Sequence, residues 1–339
     1  MIGHLSILCV GAGATIQDGG RFHYRRFGVT PAGPMDWAAF TTANLALGNA
    51  ADAAAIEIGI GGIEISCDMP VMLAFAGGSF VWTRDGVALP SAMRLTLTPG
   101  QKLAARAGAW GSFAYLAVTG AIATPFVLGS RATHTRAHLG GIDGRMLQAG
   151  DRLPIAGEPG ASKDDAAIAA PWLEGQTQAF RVVLGPQQDY FDAAALEAFF
   201  DSAFRLTHQA DRMAYKLEGP KVAHNRDFNI VSDGIALGAI QIAGDNQPLV
   251  LMADHQPTGG YPKLGYVIRA DIGRLAQLRP GETCRFTRIN VETARAALLD
   301  LDTKMAQIAN HLRQIRRVPT SEDLLRINLI SGVVDRSAR

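Results

Sequence analysis

The sequence predicts a mainly β chain with a few helices, organised as two β-rich halves. From Ile56 to Leu103 apolar residues recur with period two, as Ile56-Ile58-Ile60, Ile63-Ile65, Val71-Leu73-Phe75 and Leu95-Leu97, the pattern of half-buried strands. The 37 glycines and scarce aromatics suit many short strands joined by tight turns. TPGQKLAAR at residues 98–106 and RPGETCRFT at residues 279–287 echo one another as a turn followed by a strand, and AGDRLPI at residues 149–155 keeps the same rhythm. That echo suggests two related halves. At 339 residues the chain exceeds one average domain.

The elements follow in order. MIGHLSILCVGAGA reads as a first strand, because it lacks the basic segment of a signal peptide and its apolar run is short and broken by glycine. A helix follows Pro34, with Trp37, Phe40, Ala43 and Leu47 at helical spacing and Gly48 closing it. Asp36 falls in its first turn, where a carboxylate meets the helix dipole and free amides. Asp85-Gly86 marks a hairpin turn and Pro99-Gly100 another turn. GEPGASKDDAAIAAP, small, polar and proline-flanked, reads as a linker. The second half opens with the strand FRVVLG and an alanine-rich helix near residues 192–200. After about Val291 the chain turns helical, with Leu298, Leu301, Met305, Ile308 and Leu312 as an apolar stripe that packs on its own domain. These readings divide the chain into an N-terminal β-rich domain (1–156), a linker (157–175), a C-terminal β-barrel domain (176–290) and a helical extension (291–339).

Composition narrows the function. Net charge is +1 and no Lys/Arg block precedes a short RQIRR near the end, so neither nucleic acid nor an anionic membrane is an expected partner. Three widely spaced cysteines without a C-x-x-C pair fit a reducing compartment, and no apolar run approaches the ~18 residues of a membrane span. The expected location is cytoplasmic. There is no G-x-x-x-x-G-K-[ST] loop and no G-x-S-x-G elbow. GAGATIQDGG lacks the third glycine of a dinucleotide fingerprint, and no A-M-K-M-type lysine offers a site for covalent biotin.

Chemistry concentrates in the second half. In LMADHQPTGGYPKL, at residues 251–264, an apolar strand gives way to Asp254, His255, Gln256, Thr258, Tyr261 and Lys263, in a segment whose prolines and glycines forbid a helix. Upstream, SDG and AGDNQP read as turns, with AIQI and PLVLMA as strands. Asp233, Gln241, Gln247, Asp254, Gln256 and Lys263 then lie at strand ends or turns, held rigidly yet open to a ligand. In the first half, VLGSRATHTRAHLGGIDGRML carries Arg131, His134, Arg136, His138 and Arg145 among glycine pairs. Its guanidinium groups either clamp a carboxylate or phosphate or simply face surface acids. His134 and His138 have the i, i+4 spacing of helical metal ligands, but the glycines oppose a helix and no metal site is assigned.

Four ordered motifs carry a resemblance: QDGGR…FGVTPAGPMDWAAFTTANLALGN…AAAIEIGIGG, then YLAVTGAI…VLGSRATHTRAHLGGIDGRMLQAGD, then SDGIALGAIQIAGDNQPLVLMADHQPTGGYPK, then RLAQLRPGE. Together they resemble the biotin-dependent carboxyltransferase or allophanate-hydrolase-subunit-2-like family, also called KipA-like, over residues 5 to 290. Its members include the C subunit of bacterial 5-oxoprolinase and part of the carboxyltransferase domain of urea carboxylase. DHQPTGGYPK is similar to the oxoprolinase branch, while His255 and His134 depart from the expected pattern. The resemblance implies a cyclophilin-like β-barrel architecture. It also implies two partners, a B component (KipI or allophanate hydrolase subunit 1-like) and an A component (a LamB/YcsF-like protein). The implied activity is ATP-dependent opening of 5-oxo-L-proline to L-glutamate through a phosphorylated lactam, with ATP and Mg²⁺ bound in the complex. Chemistry then suggests Asp254, Lys263 and Asp233 as catalytic groups, Arg131, Arg145, Gln241, Gln256, Thr258 and Tyr261 as substrate-binding groups, and Asp36 as a structural group at its helix N-terminus. Two alternatives stay open: the carboxyltransferase part of a biotin-dependent urea or amide carboxylase, and a non-enzymatic partner of a kinase-inhibitor-like protein. Prolyl isomerisation is not implied by a cyclophilin-like fold alone.

Overall fold

The computed structural model describes residues 3–156, 164–175 and 178–315. In the first half, a six-stranded and a seven-stranded sheet enclose a common apolar core. Period-two patterning gives the expected alternation at Ile63–Cys67 and Met93–Leu97, whose apolar side chains are buried while the intervening ones are part-exposed. Strands Val71–Gly77 and Ala114–Val118 are instead covered on both faces. Leu73, Phe75, Leu116 and Val118 face the sheet–sheet core. Ala74, Ala76, Tyr115 and Ala117 face helix α1 (Trp37–Leu47), which presses Ala39, Phe40 and Ala43 against them. Alanines on that face let the helix lie close.

Helix α1 is bounded as the residues at its ends require. Asp36 is its N-cap rather than a first-turn residue, accepting the Ala39 amide at 3.2 Å, and Gly48 closes the helix in the left-handed region at φ 82°. Asp85 and Gly86, at φ 51° and 81°, join Val81–Arg84 to Val87–Ala88 as a two-residue hairpin. The Pro99-Gly100 turn has a different task, carrying the chain from Met93–Leu97 in one sheet to Leu103–Arg106 in the other.

The second half is a closed seven-stranded barrel. Around it run Ala179–Leu184, Lys263–Val267, Ala239–Ile242, Pro248–Leu251, Ala214–Glu218, Ala203–Ala210 and Thr283–Arg288. The last pairs with the first in parallel and closes the ring. Phe180, Phe199, Phe204 and Phe286 fill one end, with Phe199 and Phe286 stacked at 4.8 Å. Phe199 comes from α2 (Ala193–Asp201), capped by Asp192. SDG, read as a turn, supplies instead a two-residue strand, Asp233–Gly234, paired with Thr258–Gly259.

Residues 164–175 are more than a tether. Ala166–Ile168 pairs with Met93–Leu97 on one side and with Leu312–Gln314 on the other, completing the seven-stranded sheet of the first half. Helix α3 (Arg269–Ala276) follows the barrel strand Lys263–Val267, and α4 (Val291–Ala306) returns the chain to the first half. The terminal apolar stripe is therefore split. Met305 lies in the last turn of α4, Ile308 lies in a 3₁₀ turn, and Leu312 belongs to the returning strand, with Ile308 and Leu312 packed on the face that α1 covers. No α-helical stripe could have put Leu312 in a ladder.

Phe75 and Trp82, from opposite sheets, stack at 4.0 Å in the middle of the first core. Trp82→Ala is expected to cost about 3–5 kcal/mol, read as a lowered denaturant midpoint. A loss under about 1 kcal/mol would show that this stack does not join the sheets.

Candidate functional site

On the strand Ala239–Ile242, Ile240 and Ile242 enter the barrel core, so Gln241 turns to the opposite, outer face. Gln241 is directly opposite Lys263 across the ladder. Cross-strand neighbours share a face, so the two polar side chains lie side by side. A flap covers them. Asp233–Gly234 pairs with Thr258–Gly259, and the Ile230 amide donates to the Gly260 carbonyl at 2.8 Å and the Ile235 amide to Pro257 at 3.0 Å. Beneath it Lys263 and Gln241 are almost wholly removed from solvent, at 0% and 1% exposure.

Lys263 Nζ lies 2.9 Å from Asp233 Oδ2, whose side chain is half exposed at the flap edge. The contact is an ion pair by distance, but its angles fall short of a directed hydrogen bond. The Lys263 ammonium, foremost, holds the Asp233 carboxyl below the usual carboxylate range. Gln187, following the first barrel strand, brackets the pair. It accepts the Lys263 amide and donates to Asp233, each at 3.4 Å. Among the described residues, both carboxamide atoms of Gln241, Oε1 of Gln256 and Nζ of Lys263 are buried without a hydrogen-bond partner. Leaving such a group unsatisfied costs about 1–3 kcal/mol. Native structures place a partner, often a ligand or water, at such groups. At Gly259, an added Cβ would sit 2.7 Å from Ile235 Cδ1 and 2.8 Å from Gln241 Nε2, with Gln256 Nε2 at 3.7 Å. A side chain there would displace the carboxamides. Thr258 stands exposed on the flap strand and Tyr261 is exposed just beyond it.

Asp254 does not join this group. It is buried and bidentate to Arg212, with Nε and Nη2 donating to Oδ2 and Oδ1 at 2.9 Å each. Arg212 also donates to Glu57 Oε1 and, at 2.6 Å, to the Gly33 carbonyl. A carboxylate so engaged serves first to hold Arg212, away from the Lys263–Gln241 group. The network continues through the first half. Glu57 Oε2 accepts from Tyr115 Oη at 2.7 Å and from the Met35 amide at 2.8 Å, and Tyr115 Oη accepts from the Asp36 amide at 2.7 Å. Asp36 Oδ2 accepts from Gln277 Nε2 at 2.7 Å, and Gln277 Oε1 holds the Ser112 and Phe113 amides. Burial pushes the Tyr115 hydroxyl up, helped by Glu57 and Asp36, and pushes Asp36 up against its bond from Gln277.

The arginine-rich loop is likewise engaged elsewhere. Arg131 Nε donates to Thr124 O at 2.6 Å and its guanidinium lies over the Phe126 ring, 3.6 Å from the centroid. Arg145 is bidentate to Asp151 at 2.7 and 2.8 Å. The partners recorded for both guanidinium groups lie within the first half, apart from the Lys263–Gln241 pair. His134 Nδ1 accepts the Ala137 amide at 3.1 Å, and His138 is left-handed at φ 52°, so no helix aligns the two rings. Gln247 closes on the Gly219 backbone at 2.9 and 3.0 Å, bridging two loops 28 positions apart. A cleft of about 250 Å³ between α1, α3 and α4 contains Arg181 paired with Asp271 and Lys304 paired with Asp300. Of the nominated residues it includes Asp36 alone. Among the described residues, no group of three or more His, Cys, Asp or Glu side chains is arranged to hold a metal ion, and no helix is long and apolar enough to cross a membrane.

Sequence reasoning missed Glu57, Tyr115, Gln187 and Arg212. The one visible signal was Glu57, a carboxylate between isoleucines in a strand whose four residues are all buried.

The architecture of a paired-sheet half and a closed barrel has known counterparts. Residues 27–288 match the model of the carboxyltransferase domain, subdomain A and B, and the chain belongs to that family. It is 36% identical over 310 residues to the C subunit of 5-oxoprolinase from Escherichia coli (strain K12), covering 90% of this chain and 97% of that one. It is 30% identical to urea amidolyase of Saccharomyces cerevisiae, covering 86% of this chain but 17% of that protein. The crystal structure of Kluyveromyces lactis urea carboxylase superposes with a TM-score of 0.83 at 28% identity, over 93% of this chain and 31% of the larger one. The chain thus spans nearly the whole of its oxoprolinase relative and less than a third of these urea-processing enzymes.

His255 offers a pH test of the flap root. It is buried with Nδ1 2.7 Å from the Gln256 carbonyl, so Nδ1 carries the proton in the neutral ring. Burial lowers its pKa, and the bond to Gln256 opposes that shift. A folded pKa below the unfolded value of about 6.5 means the unfolded chain binds a proton first as pH falls. Its contribution is therefore complete above that value and lost as pH drops through the folded pKa. The fall in melting temperature between pH 7.5 and pH 5.5 should shrink in His255→Asn, which keeps a donor for Gln256. Equal falls in the two proteins would contradict this.

Proposed function

We propose that this chain is the C subunit of an ATP-dependent 5-oxoprolinase complex. The observation that carries the reading is the buried Gln241 carboxamide, both ends unpartnered, beside the Lys263 ammonium. A lactam is locked cis, so its C=O and N–H lie on one edge, and a carboxamide presents the complementary donor and acceptor side by side. Gln241 can therefore hold a lactam through two hydrogen bonds, with Gln256 Oε1 as a further acceptor for the ring N–H. The near-complete match to an oxoprolinase component supports the choice of substrate.

An amide is a poor electrophile until negative charge on its oxygen is stabilised. In this reading Lys263, held out of water, donates to the lactam oxygen as charge develops there, where a buried cation acts most strongly. Asp233, kept ionised by Lys263 at the flap edge, orients water toward the carbonyl carbon. Thr258 and Tyr261 position the ring from the flap, which must lift to admit it. ATP supplies the driving force by activating the lactam oxygen as a phosphate. In this reading ATP and Mg²⁺ act in the complex that the chain forms with the KipI-like and LamB/YcsF-like components.

A second reading follows from the family match and the urea carboxylase superposition. The same carboxamide and ammonium would then hold urea as it receives a carboxyl group from biotin on another chain. Co-expression with the partner proteins separates the two. The oxoprolinase reading expects ATP-dependent glutamate release from 5-oxoproline, falling by about 10²–10³-fold in Lys263→Met with the complex still assembled. Near-normal release in that variant retires the role of Lys263. Carboxylation of urea with no glutamate release favours the second reading.

A further inference from the structure

We propose that Arg25 makes this site selective for an anionic lactam, by receiving the ring carboxylate on the free edge of its guanidinium. The inference rests on the oxoprolinase reading and adds to it the group that distinguishes 5-oxoproline from an uncharged ring. The need for such a group follows from charge balance. Lys263 is paired with Asp233, and Gln187, Gln241 and Gln256 are neutral. Arg212 is held by Asp254 and Glu57, and Arg21 donates to the carbonyls of Val127, Ser130 and Ala132. A ligand carboxylate beside Lys263 and Gln241 would have to share a cation already paired with Asp233, and burying it without a further partner is costly.

Arg25 stands at the place where that charge is missing. It projects from the first half on a 3₁₀ turn, Arg25–Phe27, and donates through Nη1 to the Ile235 carbonyl on the flap at 2.8 Å. The Ile235 side chain and Gln241 Nε2 both border the space over Gly259, so the exposed Arg25 is anchored on the flap residue that flanks the proposed lactam-binding carboxamide. Its charge reaches His255, where, after burial, it helps lower that ring's pKa. The bond to Ile235 uses Nη1 alone. Nε and Nη2 form the parallel pair of donors that matches a carboxylate bidentately, and they stay available. Because Arg25 comes from one half and Gln241 from the other, a ligand held by both would bridge the halves.

The reconstituted complex tests this with two ligands, 5-oxoproline as substrate and 2-pyrrolidinone, the same ring without its carboxylate, as competitive inhibitor. Arg25→Gln should raise KM for 5-oxoproline about 10- to 100-fold, the effect of losing a charge-assisted hydrogen-bonded pair, with a smaller change in kcat. The inhibition constant of 2-pyrrolidinone should stay unchanged, and Arg25→Lys should recover part of the KM loss. An unchanged KM, or equal weakening of both ligands, overturns the proposal and leaves Arg25 as a tether of the flap. A wild-type complex that releases no glutamate overturns the oxoprolinase reading together with this inference, whereas an active wild type with an indifferent Arg25 overturns the inference alone.

Discussion

The guanidinium of Arg212 lies largely out of solvent between two buried carboxylates contributed by different halves, Asp254 from the barrel and Glu57 from the paired sheets. Removing an arginine from water costs several kcal/mol, and one partner would not offset that cost. Here Nε, Nη1 and Nη2 all donate, to two carboxylates and the Gly33 carbonyl. Burial alone would disfavour the cation, but the charges of Asp254 and Glu57 outweigh it and leave the group more firmly protonated than a free arginine. Partial versions of this arrangement are unfavourable, so the halves have one low-energy way to meet.

The site inherits its geometry from that joint. Asp254 begins the loop that becomes the flap, and its amide also donates to the Arg212 carbonyl at 2.8 Å. The flap root is therefore fixed by charge and by backbone. Its tip is held lightly, by two-residue strands at the surface. A stable root with a weakly held tip lets a cover open without disturbing the groups beneath it. Lys263 and Gln241 belong to continuous barrel strands and remain in register while the cover moves. From the other side, Glu57 passes the constraint through Tyr115 to the cap of α1, and Gln277 carries it to the loop at Ser112.

Local chemistry was readable in the sequence where partners are close along the chain. Gly48 ends α1, Asp85-Gly86 turns a hairpin, and AIQI and the start of PLVLMA are strands, because turn residues and period-two runs act over a few positions. The positions of Lys263 and Gln241 on one sheet face followed from pairing two such strands. Contacts across long separations were not readable. Leu312 looked helical because a stripe has no means of showing that Ala166–Ile168 waits to pair with it. Glu57 lies between isoleucines and would point to solvent in a one-sided sheet, but α1 and Arg212 cover that face. Asp254 looked available for chemistry because its partner lies 42 positions away along the chain. The local partners of Arg131 and Arg145 were not readable for a related reason: Thr124 and Asp151 are close in sequence, yet nothing in a glycine-rich loop shows which neighbour a guanidinium will take.

The coupling of the halves through Arg212 is most directly measured by native-state hydrogen exchange in Glu57→Gln, which removes one charge from the joint and leaves the other partners in place. The account predicts that the Met35 and Asp36 amides on one side and the Asp254 and His255 amides on the other lose protection together, while the barrel ladder between Ile240 and Val250 keeps its own. Faster exchange confined to Met35 and Asp36, with Asp254 and His255 unchanged, would contradict it, because the two halves would then be held together by something other than the shared arginine.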